Sequence, residues 1–336
     1  MEFNLFKNDN LDEVLNNRLD IKFVFDVRHG SPNTDPDSLL PRTLPSGHGL
    51  VSDVSIKRGV RDMIQRTHAD VSRMDIIIKK GTCLNTAIAK GYADCGISPT
   101  KEPIKKQVKT VRERVCADYF DVRVFGCVLS TGANAGQVDG PAQVVAARSL
   151  DPVDIVEMSL TRVCSTDGIT GNRKEETKLP PGIKKADKRS SWSEWKNFQE
   201  AIPEQTLRTM GEKAIIPYGL YTATISVSAF KAQQTGMTKR DVNELIKALY
   251  FMYDHNRSAS KGEMNCRGIY VFKHVGFSGT PEAERLNQAR LGCAPAHKLM
   301  DSIEFMKKPD VDAPLAYSDY EMHIGTTPEG VELHSF

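Results

Sequence analysis

Apolar and polar residues alternate from Asp20 to Arg28 (DIKFVFDVR), a run rich in Phe, Val and Ile that predicts a β-strand. The turn formers and prolines of Gly30–Asp37 end it, and the loop continues to Gly47-His48-Gly49. A helix follows, capped by Ser52 or Asp53. Ile56, Val60, Met63 and Ile64 fall on one of its sides, and Lys57, Arg58 and Arg61 on the opposite one. Met74–Ile78 predicts a second strand, Gly81–Tyr119 is mixed and helical in parts, and further strands are predicted at Val122–Leu129, Gln143–Ala147 and Ile155–Val163.

Periodicity then disappears. Gly171–Lys196 holds eight basic and four acidic residues, Pro180-Pro181, and both tryptophans, Trp192 and Trp195. Such a segment reads as an exposed excursion longer than most loops. Strand character returns at Tyr221–Phe230. Thr238, with Asp241 three residues on, starts a helix whose stripe is Val242, Leu245, Ile246, Leu249 and Tyr253. Arg267–His274 is a further strand, the tail beyond about Lys308 has little periodicity, and no internal repeat is present. The order of strands and helices suits an α+β, ferredoxin-like sandwich with long insertions.

Composition narrows the function classes only slightly. The 336 residues are 40% hydrophobic and 26% charged, with 45 basic against 43 acidic side chains. A net charge of +2 does not announce a nucleic-acid partner, so only local clustering would. Seven cysteines stand singly and fit reduced thiols better than a disulfide framework or zinc site. Neither a signal peptide nor a run of roughly 18 apolar residues is found, so a soluble, cytoplasmic protein with no membrane partner is expected.

Candidate chemistry is concentrated in a few places. Lys57, Arg58 and Arg61 suit successive phosphates, which demand positive charge but no base identity; the bland alternative is a solvated helix face. The run His255–Met264 (HNRSASKGEM) places hydroxyls beside Arg and Lys with a close-approach glycine, and equally suits a helix C-cap and turn. Asn33, Asp35 and Asp37 share a loop, but Pro32 and Pro36 interrupt a calcium pattern and no glutamate closes it, so a structural turn is preferred to a metal site. Lys101–Arg114 carries six basic residues against two acidic ones. The glycine-rich Gly126–Gly140 matches no phosphate loop, and no hydrolase elbow or zinc helix motif occurs. The excursion offers cations, with Trp192 or Trp195 to stack on bases or to meet another protein.

Read together, eight blocks resemble the Cas-seven family, specifically the backbone subunit of the type I-C CRISPR Cascade. They are 25–37 (FDVRHGSPNTDPD), 47–61 (GHGLVSDVSIKRGVR), 116–126 (CADYFDVRVFG), 140–152 (GPAQVVAARSLDP), 217–221 (PYGLY), 254–264 (DHNRSASKGEM), 267–274 (RGIYVFKH) and 294–299 (APAHKL). The resemblance implies one hand-shaped domain with a modified RNA-recognition-motif (ferredoxin-like) palm at about 20–80, 120–160 and 214–305. It also implies a helical finger insertion at about 81–119 and a thumb hairpin at about 161–213. Copies would stack along a CRISPR RNA, hold its backbone and leave its bases to pair with target DNA. Further implied partners are other copies of the chain and Cascade subunits of the Cas-five, Cas-eight and small Cas-eleven types. No cofactor, metal or catalytic residue is implied.

The RNA-binding residues implied are Arg28, His48, Lys57, Arg58, Arg61, Gln143, Arg148, Ser149, Arg257, Ser258 and Ser260. Lys105, Lys106 and Lys109 of the finger, and Lys184, Lys185 and Trp192 of the thumb, would meet DNA or RNA. Two departures stand out: His29–Thr34 (HGSPNT) replaces an acidic-Gly-Asn-Pro-Asn-Gly pattern, and the thumb carries an added Trp192/Trp195 element. The competing readings are a guide-dependent endoribonuclease of the related type III kind, acting through Asp35 or Asp37, and a stand-alone single-strand binder.

Overall fold

The computed structural model describes residues 3–7, 9–164, 189–201 and 209–336. Strand β1 (Leu19–Gly30) points Leu19, Ile21, Phe23, Phe25 and Val27 into the main core and is followed by β2 (His48–Val51) and α1 (Asp53–Thr67). Helix α1 starts where the Ser52 hydroxyl accepts the N–H of Ser55, and it buries Ile56, Val60, Met63 and Ile64 as its spacing predicts. An inserted unit comes next: α2 (Leu84–Asp94), α3 (Lys105–Asp118), α4 (Phe120–Phe125), β3 (Gly126–Val128) and β4 (Gln137–Asp139). It has its own apolar cluster, running from Ile77 through Ile88, Tyr92, Val111 and Val115 to Val138.

The chain returns through β5 (Ala142–Val144), β6 (Ala147–Pro152) and β7 (Val156–Arg162), then α5 (Trp192–Ala201) and the 19-residue β8 (Thr209–Val227). Short α6 (Ala229–Thr235) leads to α7 (Lys239–Phe251), where Thr238 and Asp241 form the expected capping box and the predicted stripe is buried. Strand β9 (Glu263–His274), α8 (Glu282–Leu291), α9 (Ala296–Asp301), β10 (Ile303–Lys307), β11 (Tyr320–Ile324) and β12 (Val331–Ser335) complete it. No helix among the described residues is long and apolar enough to cross a membrane.

The main sheet is antiparallel in the order β12-β9-β1-β8-β6-β2. Beyond β1, β8 pairs successively with β5, β6 and β7, and the β7–β8 ribbon projects with most side chains exposed. Helices α1 and α7 cover one face, where the Phe25 and Tyr221 rings stack 5.4 Å apart. On the other face, α9 and the β10–β11 hairpin cover Val24, Tyr218, Leu220, Tyr270 and Phe272. Lys22 anchors this cover by donating to the carbonyls of Met300 and Ile303.

Several local expectations are corrected. Val122–Leu129 is not one strand: α4 precedes the short β3, because all six of its residues are buried and a fully buried run has no period to read. Met74–Ile78 makes only the bridge Asp75–Tyr119, and the N–H groups of Ile77 and Ile78 donate to the Asp121 carboxylate instead of a strand. The C-terminal tail contributes β11 and β12, the latter aligning Val331 with His274 and Leu333 with Phe272.

Two buried ion pairs join the inserted unit to the main core. Asp121 accepts from Arg61 Nε at 2.8 Å. Arg123, 1% exposed, makes a forked pair with Asp241 at 2.7 and 2.9 Å and donates to the carbonyls of Cys116, Ala117 and Arg73. The first two carbonyls end α3, where helical partners run out, so one side chain closes α3 while bracing the start of α7.

Candidate nucleic-acid interface

Residues directly opposed on neighbouring strands share a face. Gln143 opposes Ser226, which opposes Asp20; Arg148 opposes Thr222, which opposes Val24; Arg28 opposes Tyr218. All therefore lie on the face away from α1 and α7. The α9 and hairpin cover protects its β9–β1 half, which leaves Gln143 and Arg148 exposed on β5 and β6. His48 joins them across the β2–β6 pair, with its Nε2 3.0 Å from the Arg148 guanidinium. This first group offers a guanidinium that pairs with no carboxylate among the described residues, an imidazole and hydroxyl-bearing strand positions.

A second group surrounds the C-terminal end of β1. There the 254–262 loop presses backbone to backbone on residues 28–31. A Cβ on Gly30 would lie 2.0 Å from the Lys261 carbonyl oxygen, and Gly262 adopts φ +65° beside the carbonyls of Arg28 and His29. Ser31 N–H donates to the Ser260 carbonyl at 2.8 Å, and the Ser258 and Ser260 hydroxyls sit 3.2 Å apart on the exposed side. Burial pushes the Lys261 ammonium below its ordinary value; Asp62 opposes that shift, and Arg58 and Arg66 reinforce it. Arg66 reaches the loop directly, donating to the His255 carbonyl at 2.8 Å. Arg58 pairs with Asp62 and Arg257 with Asp254. Lys213 of the projecting ribbon donates to the Ala259 carbonyl, so the ribbon touches the same turn.

The structure thus brings together Arg58, Arg257, Ser258 and Ser260 in one region around the end of β1, while Arg28 meets that turn through its backbone and lies on the sheet face that carries Gln143 and Arg148, with His48 beside them. Two residues outside the expected RNA-binding set, Arg66 and Lys261, belong to the region around the end of β1. Their signal was present: Arg58, Asp62 and Arg66 recur every four residues on α1, and Lys261 sits inside the serine-rich turn.

Other expected site residues are placed differently. Arg61 is not on a solvated face opposite the apolar stripe but is buried on Asp121. At about 100° per residue it lies only about 60° from Ile64, close enough to follow it inward. Ser149 does not border a groove: it is 2% exposed opposite core Tyr221, accepts the Gly49 N–H at 2.8 Å and donates to the Asp151 carbonyl. Lys57 is half-buried, pairing with Asp53 at 3.0 Å near the Phe125 ring, and so flanks the stripe without joining Arg58 and Arg66.

Lys105, Lys106 and Lys109 are exposed on α3 of the inserted unit, apart from both groups. Trp192 opens α5 at 80% exposed. Lys184 and Lys185 lie outside the described residues. In the 31–47 loop, Asp35 accepts the N–H groups of Asp37 and Ser38 and pairs with Arg42 at 3.0 Å, while Asp37 is exposed. The Ser38 and Asp37 amides hold the Asp35 carboxyl below its usual range, helped by Arg42.

Comparison with known proteins gives this geometry a context. A Cas7 protein of Haloferax volcanii is 30% identical over 179 residues, and the chain spans about half the length of that curated relative: 47% of this chain against 50% of the other. A chain of a pre-nicking CRISPR RNA-guided surveillance complex superposes with TM-score 0.43 and 14% identity, covering 83% of this chain and 84% of that one. A chain of a second CRISPR RNA-guided surveillance complex gives TM-score 0.39 and 16% identity, covering 84% and 80%. The family described as CRISPR-associated protein Cas7 matches residues 17–325, nearly the whole length, and the chain accordingly belongs to the Cas7 family.

Proposed function

We propose that this chain is the guide-RNA-binding backbone subunit of a type I-C Cascade, polymerising along a CRISPR RNA and displaying its bases to target DNA in antiviral defence. The observation that carries this reading is the convergence of Arg58, Arg66 and Lys261 with the Ser258 and Ser260 hydroxyls at the end of β1. Cations and hydroxyls without a base-reading pattern suit a sugar–phosphate backbone and leave sequence recognition to pairing. Family membership supports the same reading.

A ferredoxin-like, RNA-recognition-motif palm is supported by the order β9-β1-β8-β6 with α1 and α7 on one face, the 4-1-3-2 arrangement of a strand-helix-strand-strand-helix-strand unit. On this reading the inserted unit is the finger and the β7–β8 ribbon with α5 the thumb. Cas-five, Cas-eight and Cas-eleven type subunits complete the assembly. We take the subunit to be non-catalytic, since Asp35 is engaged in closing its own loop.

Purification with and without a guide transcript tests the proposal. RNA of defined length should co-purify and drive assembly of copies, and binding should weaken steeply with salt. A monomer indifferent to guide RNA would overturn it. Regular cuts in labelled complementary RNA with Mg²⁺, abolished by Asp35→Ala, would instead establish the ribonuclease.

A further inference from the structure

Ser258, Ala259 and Ser260 are exposed, but their backbone carbonyls are already engaged. Ser258 accepts the Gly262 N–H at 3.1 Å, Ala259 accepts from the Lys213 ammonium, and Ser260 accepts the Ser31 N–H at 2.8 Å. The turn therefore faces solvent chiefly with its two hydroxyls. Their oxygens lie 3.2 Å apart, and the Ser258 oxygen also accepts the Lys261 N–H at 3.2 Å.

Two hydroxyls carry two protons and four lone pairs. The bond between them uses one of each, and the Lys261 N–H takes a second lone pair. One proton and two lone pairs remain, whichever serine donates to the other. The pair thus presents a donor beside an acceptor. A phosphate oxygen only accepts and would use half of that offer. A ligand hydroxyl donates and accepts, and uses both halves.

Donors for a phosphate stand next to the pair. Lys213 Nζ sits on the Ala259 carbonyl, between the two serines, and pairs with no carboxylate among the described residues. It keeps two further N–H donors. Lys261, Arg66 and Arg58 lie on the α1 side of the same loop. In a ribonucleotide the 2′-hydroxyl and the 3′-phosphate hang from adjacent ribose carbons, and the 2′-hydroxyl is what separates an RNA backbone from a DNA one.

We infer that the Ser258–Ser260 pair holds a ribose 2′-hydroxyl beside a phosphate at Lys213, so that the chain selects RNA over DNA without reading sequence. The inference rests on the guide-coating reading and deepens it: cations alone attract either backbone, and the serines choose between them. Every ribonucleotide carries the recognised group, so the preference is the same for any guide.

The test uses the full chain and fluorescence anisotropy, with labelled single strands of one sequence made as RNA, DNA and 2′-fluoro RNA. The fluoro strand keeps the sugar pucker of RNA but has no hydroxyl proton, and so separates sugar shape from hydrogen bonding. The parent chain should bind RNA about fivefold or more tightly than either other strand. Ser260→Ala should weaken RNA about fivefold and leave the other two within about twofold, which erases the preference. Ser260→Thr keeps a hydroxyl and should retain it, and Lys213→Ala should weaken all three strands alike. The Ser260 hydroxyl is exposed and touches only Ser258, so Ser260→Ala should melt within about 1 °C of the parent. Four results would overturn the inference and leave guide coating standing: a parent that binds DNA or the fluoro strand as tightly as RNA, an equal loss on all strands in Ser260→Ala, a preference undiminished in that variant, or one absent from Ser260→Thr. A parent that binds none of the strands would overturn both.

Discussion

Replacing Arg123 with alanine should be among the most damaging single changes in this protein. Arg123 is 1% exposed and is paired in a fork with buried Asp241. It also satisfies three carbonyls: Cys116 and Ala117 at the end of α3, and Arg73, which sits at φ +70°. Removing one partner of a buried ion pair costs about 3–5 kcal/mol, because the other charge stays buried and uncompensated. At about 2 °C per kcal/mol, the lower end for large domains, the melting temperature should fall by about 6–10 °C. Urea unfolding followed by circular dichroism measures the energy, and hydrogen exchange should show protection lost first at the end of α3 and the start of α7. The double change Arg123→Met with Asp241→Leu should recover more than half of the loss, since an apolar pair of similar volume avoids desolvating two charges. It should not recover all of it, because Asp241 also accepts from the Thr238 N–H and hydroxyl in the capping box. A shift below about 2 °C for Arg123→Ala, or a double variant no more stable than the single, would refute the reasoning.

Arg61→Ala and Arg148→Ala should separate stability from binding: the first loses about 3 kcal/mol by exposing Asp121 as an unpaired buried charge. Arg148→Ala should instead leave melting unchanged, weaken single-stranded RNA and reduce the log–log salt slope by about 0.7, as read by fluorescence anisotropy. Gly262→Ala should cost about 1–2 kcal/mol from the positive φ alone, more from the 2.5 Å approach to the Arg28 carbonyl, and should lower RNA affinity by displacing the serine turn. The raised thiol values of Cys116, about 11, and Cys266, about 12, make folding favour the protonated forms. Their stabilisation is complete below the ordinary thiol value and is lost as pH rises through 11 and 12, so melting temperature should decline above about pH 9. Alkylation at pH 8 followed by mass spectrometry should modify exposed Cys83, whose thiol is lowered by the Asn85 and Thr86 N–H groups, well before Cys116 or Cys266.

The sequence by itself determined the elements whose burial is local and periodic. Alternation in Asp20–Arg28 located β1, the i, i+3, i+4 stripe located α1, and the Thr238–Asp241 box located the start of α7 to the residue. It also exposed the basic character of α1 and the serine turn, because both are short-range patterns. Only the tertiary structure decided which of those charges face water. Arg61, a site residue in a linear reading, and Ser149, one implied by the family resemblance, are instead buried against Asp121, 60 positions away, and Gly49, 100 away. Arg66 and Lys261 lie about 195 positions apart, and only folding brings α1 and the 254–262 loop together around the end of β1. Periodicity reports how a segment meets its own immediate surroundings. The partner of a charge is set by long-range packing, and that partner decides whether the charge serves the fold or remains available to a phosphate.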